Sequence, residues 1–128
     1  MTTVAVVVGD QLNFTVDENS ARSLEFSPQN PDGSPVSLTG LVVEFVVEAV
    51  DGTQLVKILA TDSGNPMGSV TVDTGASTIL VGMLPAATLA LYNARGGYVY
   101  WALWLQPGTS TSYLVCNGQI TGNRTAQP

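Results

Sequence analysis

In several stretches of this chain apolar and polar residues alternate, the period of a strand with one buried face. Residues 4–8 read Val-Ala-Val-Val-Val, mostly β-branched and uncharged, and Gly9-Asp10 punctuates them. Leu12, Phe14 and Val16 then alternate with Asn13, Thr15 and Asp17. A further stretch, 21–26, points Leu24 and Phe26 inward. The strongest strand is 41–48. Leu41, Val43, Phe45 and Val47 make one wholly apolar face, and Val42, Glu44, Val46 and Glu48 a mixed one. Residues 98–106 form a long strand with Tyr98, Tyr100 and Trp104 on one face and Val99, Trp101, Leu103 and Leu105 on the other. Bulk on both faces argues for burial on both.

The punctuation between these stretches completes the pattern. Residues 17–20 are a turn. Prolines and glycines make 27–40 a loop, in which Asp32-Gly33 favours a tight turn with positive φ and Pro35 fixes the exit. Asp51-Gly52 signals a hairpin between 41–48 and 53–59. A second loop covers 61–68. Val70 and Val72 belong to a short strand, and 79–83 is another or leads into the next segment. Pro85 suits the first turn of a helix over 85–92, with Leu84, Leu89 and Tyr92 sharing a face. Pro107-Gly108 turns the long strand, and 112–116 with 119–121 make a final hairpin. The expectation is an all-β chain: one antiparallel β-sandwich, Ig-like or jelly-roll-like, of about eight strands with one short helix. A single domain over 1–128 would carry extended arms at 1–9 and 122–128.

Composition narrows the function classes. Charged residues are 11% of the chain, and Thr, Ser, Asn, Gln and Gly fill the polar positions. So little charge fits a surface partly covered by neighbours. The net charge is −6, and the four cations, Arg22, Lys57, Arg95 and Arg124, are scattered. Nucleic acid and anionic membrane are therefore poor partners. No stretch reaches the ~18 apolar residues of a membrane span.

Candidate chemistry is sparse. The chain has no histidine, which removes the commonest general base, the Ser-His-Asp and Cys-His arrangements and most zinc sites. Its one cysteine, Cys116, sits in an apolar strand where a thiolate is disfavoured. Glu44 and Glu48 share a strand face, but four residues separate their α-carbons by ~13 Å, against carboxyl separations of about 5–9.5 Å in glycosidases. Asp17, Glu18 and Asn19, and Asp62 with Asn65, offer oxygen ligands but match no twelve-residue calcium loop, and turn formation accounts for them. No cofactor and no metal is expected. Two features invite a partner. The face of Tyr98, Tyr100 and Trp104 packs in the core or under the helix, meets another subunit, or stacks on a sugar. The strand at 4–8 is an edge of its own sheet or adds to a neighbour's.

The order of these devices carries a resemblance. Asp32, Gly33, Pro35, Leu38, Thr39 and Gly40 spell D-G-x-P-x-x-L-T-G ahead of the alternating strand, which Asp51 and Gly52 turn. Later come the helix, Gly97, Tyr98 and Tyr100 of G-G-Y-x-Y, the P-G turn, and Leu114, Gly118 and Ile120 of L-x-x-x-G-x-I. Over residues 20–121 this resembles small β-sandwich structural proteins of tailed bacteriophage virions. It is most similar to the N-terminal domain of baseplate upper proteins and to related tail, neck and head-decoration modules. Proteins of that baseplate type continue into further domains. A free-standing copy resembles more a decoration, cement or tail-accessory subunit. The resemblance implies a non-enzymatic virion protein that meets major capsid or tail proteins, as a homo-oligomer or bound to a lattice. The contact candidates are Val4, Val6 and Val8, Tyr98, Tyr100 and Trp104, and Arg124. The alternative is a carbohydrate- or receptor-binding module that uses the aromatic face.

Overall fold

The computed structural model describes residues 3–94, 97–124 and 126. Among these, ten strands and one helix run in order. They are β1 (Thr3–Val7), β2 (Asp10–Gln11), β3 (Phe14–Asp17), β4 (Arg22–Gln29), β5 (Val43–Glu48), β6 (Gln54–Leu59), β7 (Gly68–Asp73), β8 (Thr78–Met83), α1 (Pro85–Asn93), β9 (Val99–Leu105) and β10 (Tyr113–Asn123). One sheet has the order β1-β4-β8-β7, and the other β2-β10-β9-β5-β6, with β3 also paired to β10. The apolar faces that alternation implies meet in one core. Leu24 and Phe26 of β4 and Ile79 and Val81 of β8 join Val43, Phe45 and Val47 of β5 and Trp101 and Leu103 of β9. Val36 and Leu38, from the loop after β4, close over it.

Both sheets are mixed, which corrects the expectation of purely antiparallel pairing. β1 runs parallel to β4, with Thr3 opposite Glu25 and Val7 opposite Gln29. β2 and β3 run parallel to β10. The other pairs are antiparallel. An antiparallel neighbour results when a tight turn joins two strands. No such turn joins the paired strands β1 and β4, which β2 and β3 separate along the chain, or joins β2 or β3 to β10, so nothing in these connections imposes that direction.

This segment is also where the arm over 1–9 was expected, and from Thr3 onward it is built into the fold. Val6 is 1% exposed, and Val4 and Val8 pack against the core. Val8 donates its N–H to the Gln29 carbonyl at 3.0 Å, and the next residue, Gly9, donates to the Val115 carbonyl at 2.7 Å. The chain thus steps from the first sheet to the second between two consecutive amides. Gly9 makes the step at φ +90°, a conformation that side chains resist. The C-terminal arm expected over 122–128 likewise begins inside β10, and the Glu18 N–H donates to the Asn123 carbonyl at 2.9 Å. Met1, Thr2, Thr125, Gln127 and Pro128 lie outside the described residues.

β2 and β3 keep one register along β10, Gln11 opposite Asn117 and Phe14 opposite Ile120, interrupted at Leu12 and Asn13. There the Asn13 side-chain oxygen accepts the Gln119 N–H at 2.9 Å, as a ladder carbonyl would. The Leu12 carbonyl accepts the indole N–H of Trp101 at 3.0 Å. Gly118 stands opposite Trp101 on β10, and a Cβ there would lie 1.8 Å from the Leu12 oxygen. Only glycine leaves that carbonyl its place. Trp101 itself is 2% exposed. Phe26 stacks on it at 5.6 Å between centroids, Phe14 meets it edge-on at 5.4 Å, and Phe45 lies at 6.0 Å.

The final hairpin expected over 112–116 and 119–121 is instead one continuous strand. Asn117 and Gly118 look like a turn in the sequence, yet they pair with Ala102 and Trp101 in mid-strand. The register against β9 shifts between Leu114 and Cys116, so the consecutive residues Val115 and Cys116 are both buried, the mark of a bulge. The helix buries Ala87, Thr88 and Leu91, while Leu84 and Leu89 stay exposed, so the face expected from Leu84, Leu89 and Tyr92 is not the packed one. Two close approaches select small residues here. The Thr88 hydroxyl accepts the Ser20 N–H at 3.0 Å and donates to the Ser20 carbonyl at 2.8 Å. Tyr92 lies against Gly122, where a Cβ would come within 3.0 Å of its Cα.

Gly118→Ala is expected to lose ~1–3 kcal/mol or more of unfolding free energy, the range for overpacking a filled site. In Gly75→Ala the added methyl meets only Asp73 Oδ1 at 3.5 Å, and stability should stay within ~0.5 kcal/mol. Denaturant titration compares the two, and equal stability would show that the Leu12 carbonyl does not need the glycine.

Candidate functional site

The outer face of the larger sheet is made by the residues that alternate with its core residues, and pairing registers set them in rows. Leu114, Trp104, Glu44 and Leu59 cross from β10 to β6. Asn117, Ala102, Val46 and Lys57 form the next row. Gln119, Tyr100, Glu48 and Gln54 form the third. Trp104 and Tyr100 therefore flank Ala102 on β9, with only its methyl between them.

Tyr98, Tyr100 and Trp104 share this face, as their alternation requires. The rings of Tyr98 and Tyr100 meet edge-on at 5.5 Å. The hydrogen bond with Tyr98 and that neighbour's charge raise the Tyr100 phenol above its ordinary pKa. The helix does not cover this aromatic face. It packs against β3, β6, β8 and β10, and Tyr100 remains 45% exposed. Burial on both sides of β9 was expected from bulk alone; only the side of Val99, Trp101, Leu103 and Leu105 is buried.

The low floor at Ala102 leaves a depression of about 260 Å³ between Tyr100 and Trp104, walled by Val46, Glu48 and Asn117. A second, of about 200 Å³, adjoins it beyond Tyr100, toward Gln11, Asn13 and Gln119. A third, of about 380 Å³, lies between Glu44, Lys57, Leu59 and the turn at 106–109. Lys57 sits 3.8 Å from Glu44. Its half-exposed ammonium makes that pair weak but does place the cation's charge on Glu44.

The other contact candidates lie elsewhere. Val4 and Val8 are half-buried at the edge of the smaller sheet, and Val6 points into the core, where no partner reaches it. Arg124 is exposed just past β10. The candidates therefore form two separate surfaces, an edge and a face. Two residues that complete the face, Asn117 and Gln119, carried no sequence signal because their neighbours are set by strand register.

The remaining candidates have structural partners. Glu44 and Glu48 stand two rows apart with Val46 between them. Burial, with the Asp10 carboxylate adding to it, pushes the Cys116 thiol up to about 12, so it is held as a thiol. Asp62 accepts the Leu59 N–H at 3.0 Å and the Asn65 amide at 2.8 Å, which folds the loop after β6 back along that strand. Among the described residues no group of three acidic, cysteine or histidine side chains could hold a metal ion, and no helix is long and apolar enough to cross a membrane. No protein-family model matches the chain, and no curated protein matches its sequence.

Three turn carboxylates give the fold a pH dependence. Hydrogen bonds from the Ser34 hydroxyl and N–H lower the Asp32 pKa, the Thr53 N–H lowers that of Asp51, and the Leu59 N–H, then Asn65, lower that of Asp62. With the folded pKa below the unfolded one, the stabilisation is complete above the unfolded value near ~4 and is lost as pH falls through the folded value. Thermal unfolding should therefore show stability dropping as pH falls below about 4, with Asp62→Asn flattening part of the drop. A wild-type profile flat below that pH contradicts this.

Proposed function

We propose that this chain is a non-enzymatic structural subunit of a tailed-phage virion. It is a β-sandwich that decorates or cements the capsid, or serves as a tail or baseplate accessory, by adding a strand edge to its neighbours. The D-G-x-P-x-x-L-T-G stretch and the devices after it support the family reading. The observation that carries the mechanism is the outer edge of β1. Thr3–Val7 is uncharged, without proline, and apolar from Val4 onward. Edge strands are ordinarily blunted by charge, proline or a covering loop. The other edges obey that rule. β6 carries Lys57, and the Asn65 amide and Asp62 carboxylate take up its Lys57 carbonyl and Leu59 N–H. β7 ends in Asp73, and β3 in Asp17.

On β1 the amide of Val8 faces β4, and alternation turns those of Thr3, Ala5 and Val7 outward. Asp10 caps the Val7 N–H at 2.9 Å. This leaves the stretch from Thr3 to Ala5 open for an incoming strand and sets where it must stop. Such an addition makes release of the subunit depend on its neighbour. The acidic net charge of −6 keeps the subunit off packaged nucleic acid.

The test is Ala5→Pro, which removes an outward N–H while leaving the ladder to β4 intact, with Ala5→Lys as a second variant that places a charge on the edge. Virions assembled with either variant are expected to carry at least tenfold fewer copies than wild type, while the isolated protein keeps its Tm within about 4 °C. Unchanged occupancy in both variants rejects the edge as the docking element.

A further inference from the structure

We infer that the depression between Tyr100 and Trp104 is a binding site for neutral pyranose sugars. The site lies on the larger sheet, whereas the proposed docking edge belongs to the smaller one, so either reading stands or falls without the other.

Three observations converge on this ligand chemistry. The first is the ring platform. Tyr100 is 45% exposed, and Trp104 lies half-buried across the Ala102 floor. The C–H face of a pyranose is apolar and carries partial positive charge, which an aromatic face attracts. Two adjoining depressions, of about 260 and 200 Å³, share Tyr100, so the ring stands between two cups rather than on a flat surface.

The second observation is polar. Glu48, Asn117 and Gln119 border these depressions, and their side chains make no hydrogen bond or ion pair among the described residues. Glu48 can only accept hydrogen bonds when ionised, whereas each amide both donates and accepts. That combination matches vicinal hydroxyls, which do both. A purely apolar protein partner would have to bury these groups without partners, an unfavourable outcome for each of them.

The third observation is charge. Glu48 stands beside Tyr100, opposite it in the pairing register, and among the described residues it has no basic partner. Lys57, the cation in the neighbouring row, lies against Glu44. An anionic sugar or a nucleotide would meet a carboxylate with no counter-charge, so the ligand is neutral.

Isothermal titration with a panel of neutral mono- to hexasaccharides of glucose, galactose, mannose and N-acetylglucosamine tests the site. At least one member should bind saturably. Tyr100→Ala should weaken it at least tenfold with an unchanged Tm, because that side chain lies outside the core. Glu48→Gln should weaken it several-fold, and Glu44→Gln, which borders the other depression, should leave it unchanged. No binding at about 10 mM sugar, beyond the weak end of specific recognition, or binding that Tyr100→Ala does not alter, overturns the inference. It is equally overturned if the face instead supports self-association, seen as a concentration-dependent dimer that Tyr100→Ala abolishes without any sugar response.

Discussion

The hydrogen bond from the Trp101 indole to the Leu12 carbonyl is the joint on which the two-sheet arrangement depends. Trp101 belongs to β9 in the middle of the larger sheet, yet it stacks on Phe26 of the smaller one. Its N–H must find an acceptor inside the core, since an unpaired buried donor costs ~1–3 kcal/mol. The acceptor comes from the one place where the edge strand along β10 breaks its ladder. Gly118 leaves room for that carbonyl, and Asn13 repairs the ladder beside it. Four residues from three separate stretches of the sequence thus settle one position, and the N-terminal segment is threaded across both sheets as a consequence.

That threading changes how the chain can meet a partner. A loose arm would gain order on binding and lose entropy in doing so. β1 is already ordered by β4 and by the step at Gly9, so an incoming strand meets a preformed edge. Preorganisation of this kind strengthens association without adding contacts. The aromatic face of the other sheet is equally preformed, because β9 is braced on both sides by β5 and β10. Edge and face lie on different sheets, so on the reading proposed above one surface would hold the subunit in place while the other stays available.

Much of the architecture was legible in alternation. The inward sets Leu24 and Phe26, and Val43, Phe45 and Val47, are buried as the period requires, and Asp51-Gly52 turns β5 into β6. The helix also lies where Pro85 places its start. What alternation cannot express is pairing. Nothing local says that Val4–Val8 lies parallel to β4, or that Asn117 and Gly118, a turn by composition, run straight through β10. The same limit governed the candidate face. Tyr100 and Trp104 were readable as neighbours on one strand, whereas Glu48, Asn117 and Gln119 joined them only through register. The helix buries Ala87, Thr88 and Leu91 and leaves Leu84 and Leu89 exposed, and of the expected face only Tyr92 meets a strand, against Gly122 of β10.

The central claim is that the N-terminal segment opens only when the whole fold opens. Native-state hydrogen exchange by NMR measures it directly, at the Trp101 indole N–H and at the amides of Val6, Val8 and Leu12. The account predicts that these protons share the opening free energy of the β9 and β5 amides, the global value. Exchange of the N-terminal amides at a far smaller free energy, with β9 and β5 still protected, would show a detachable arm and contradict it.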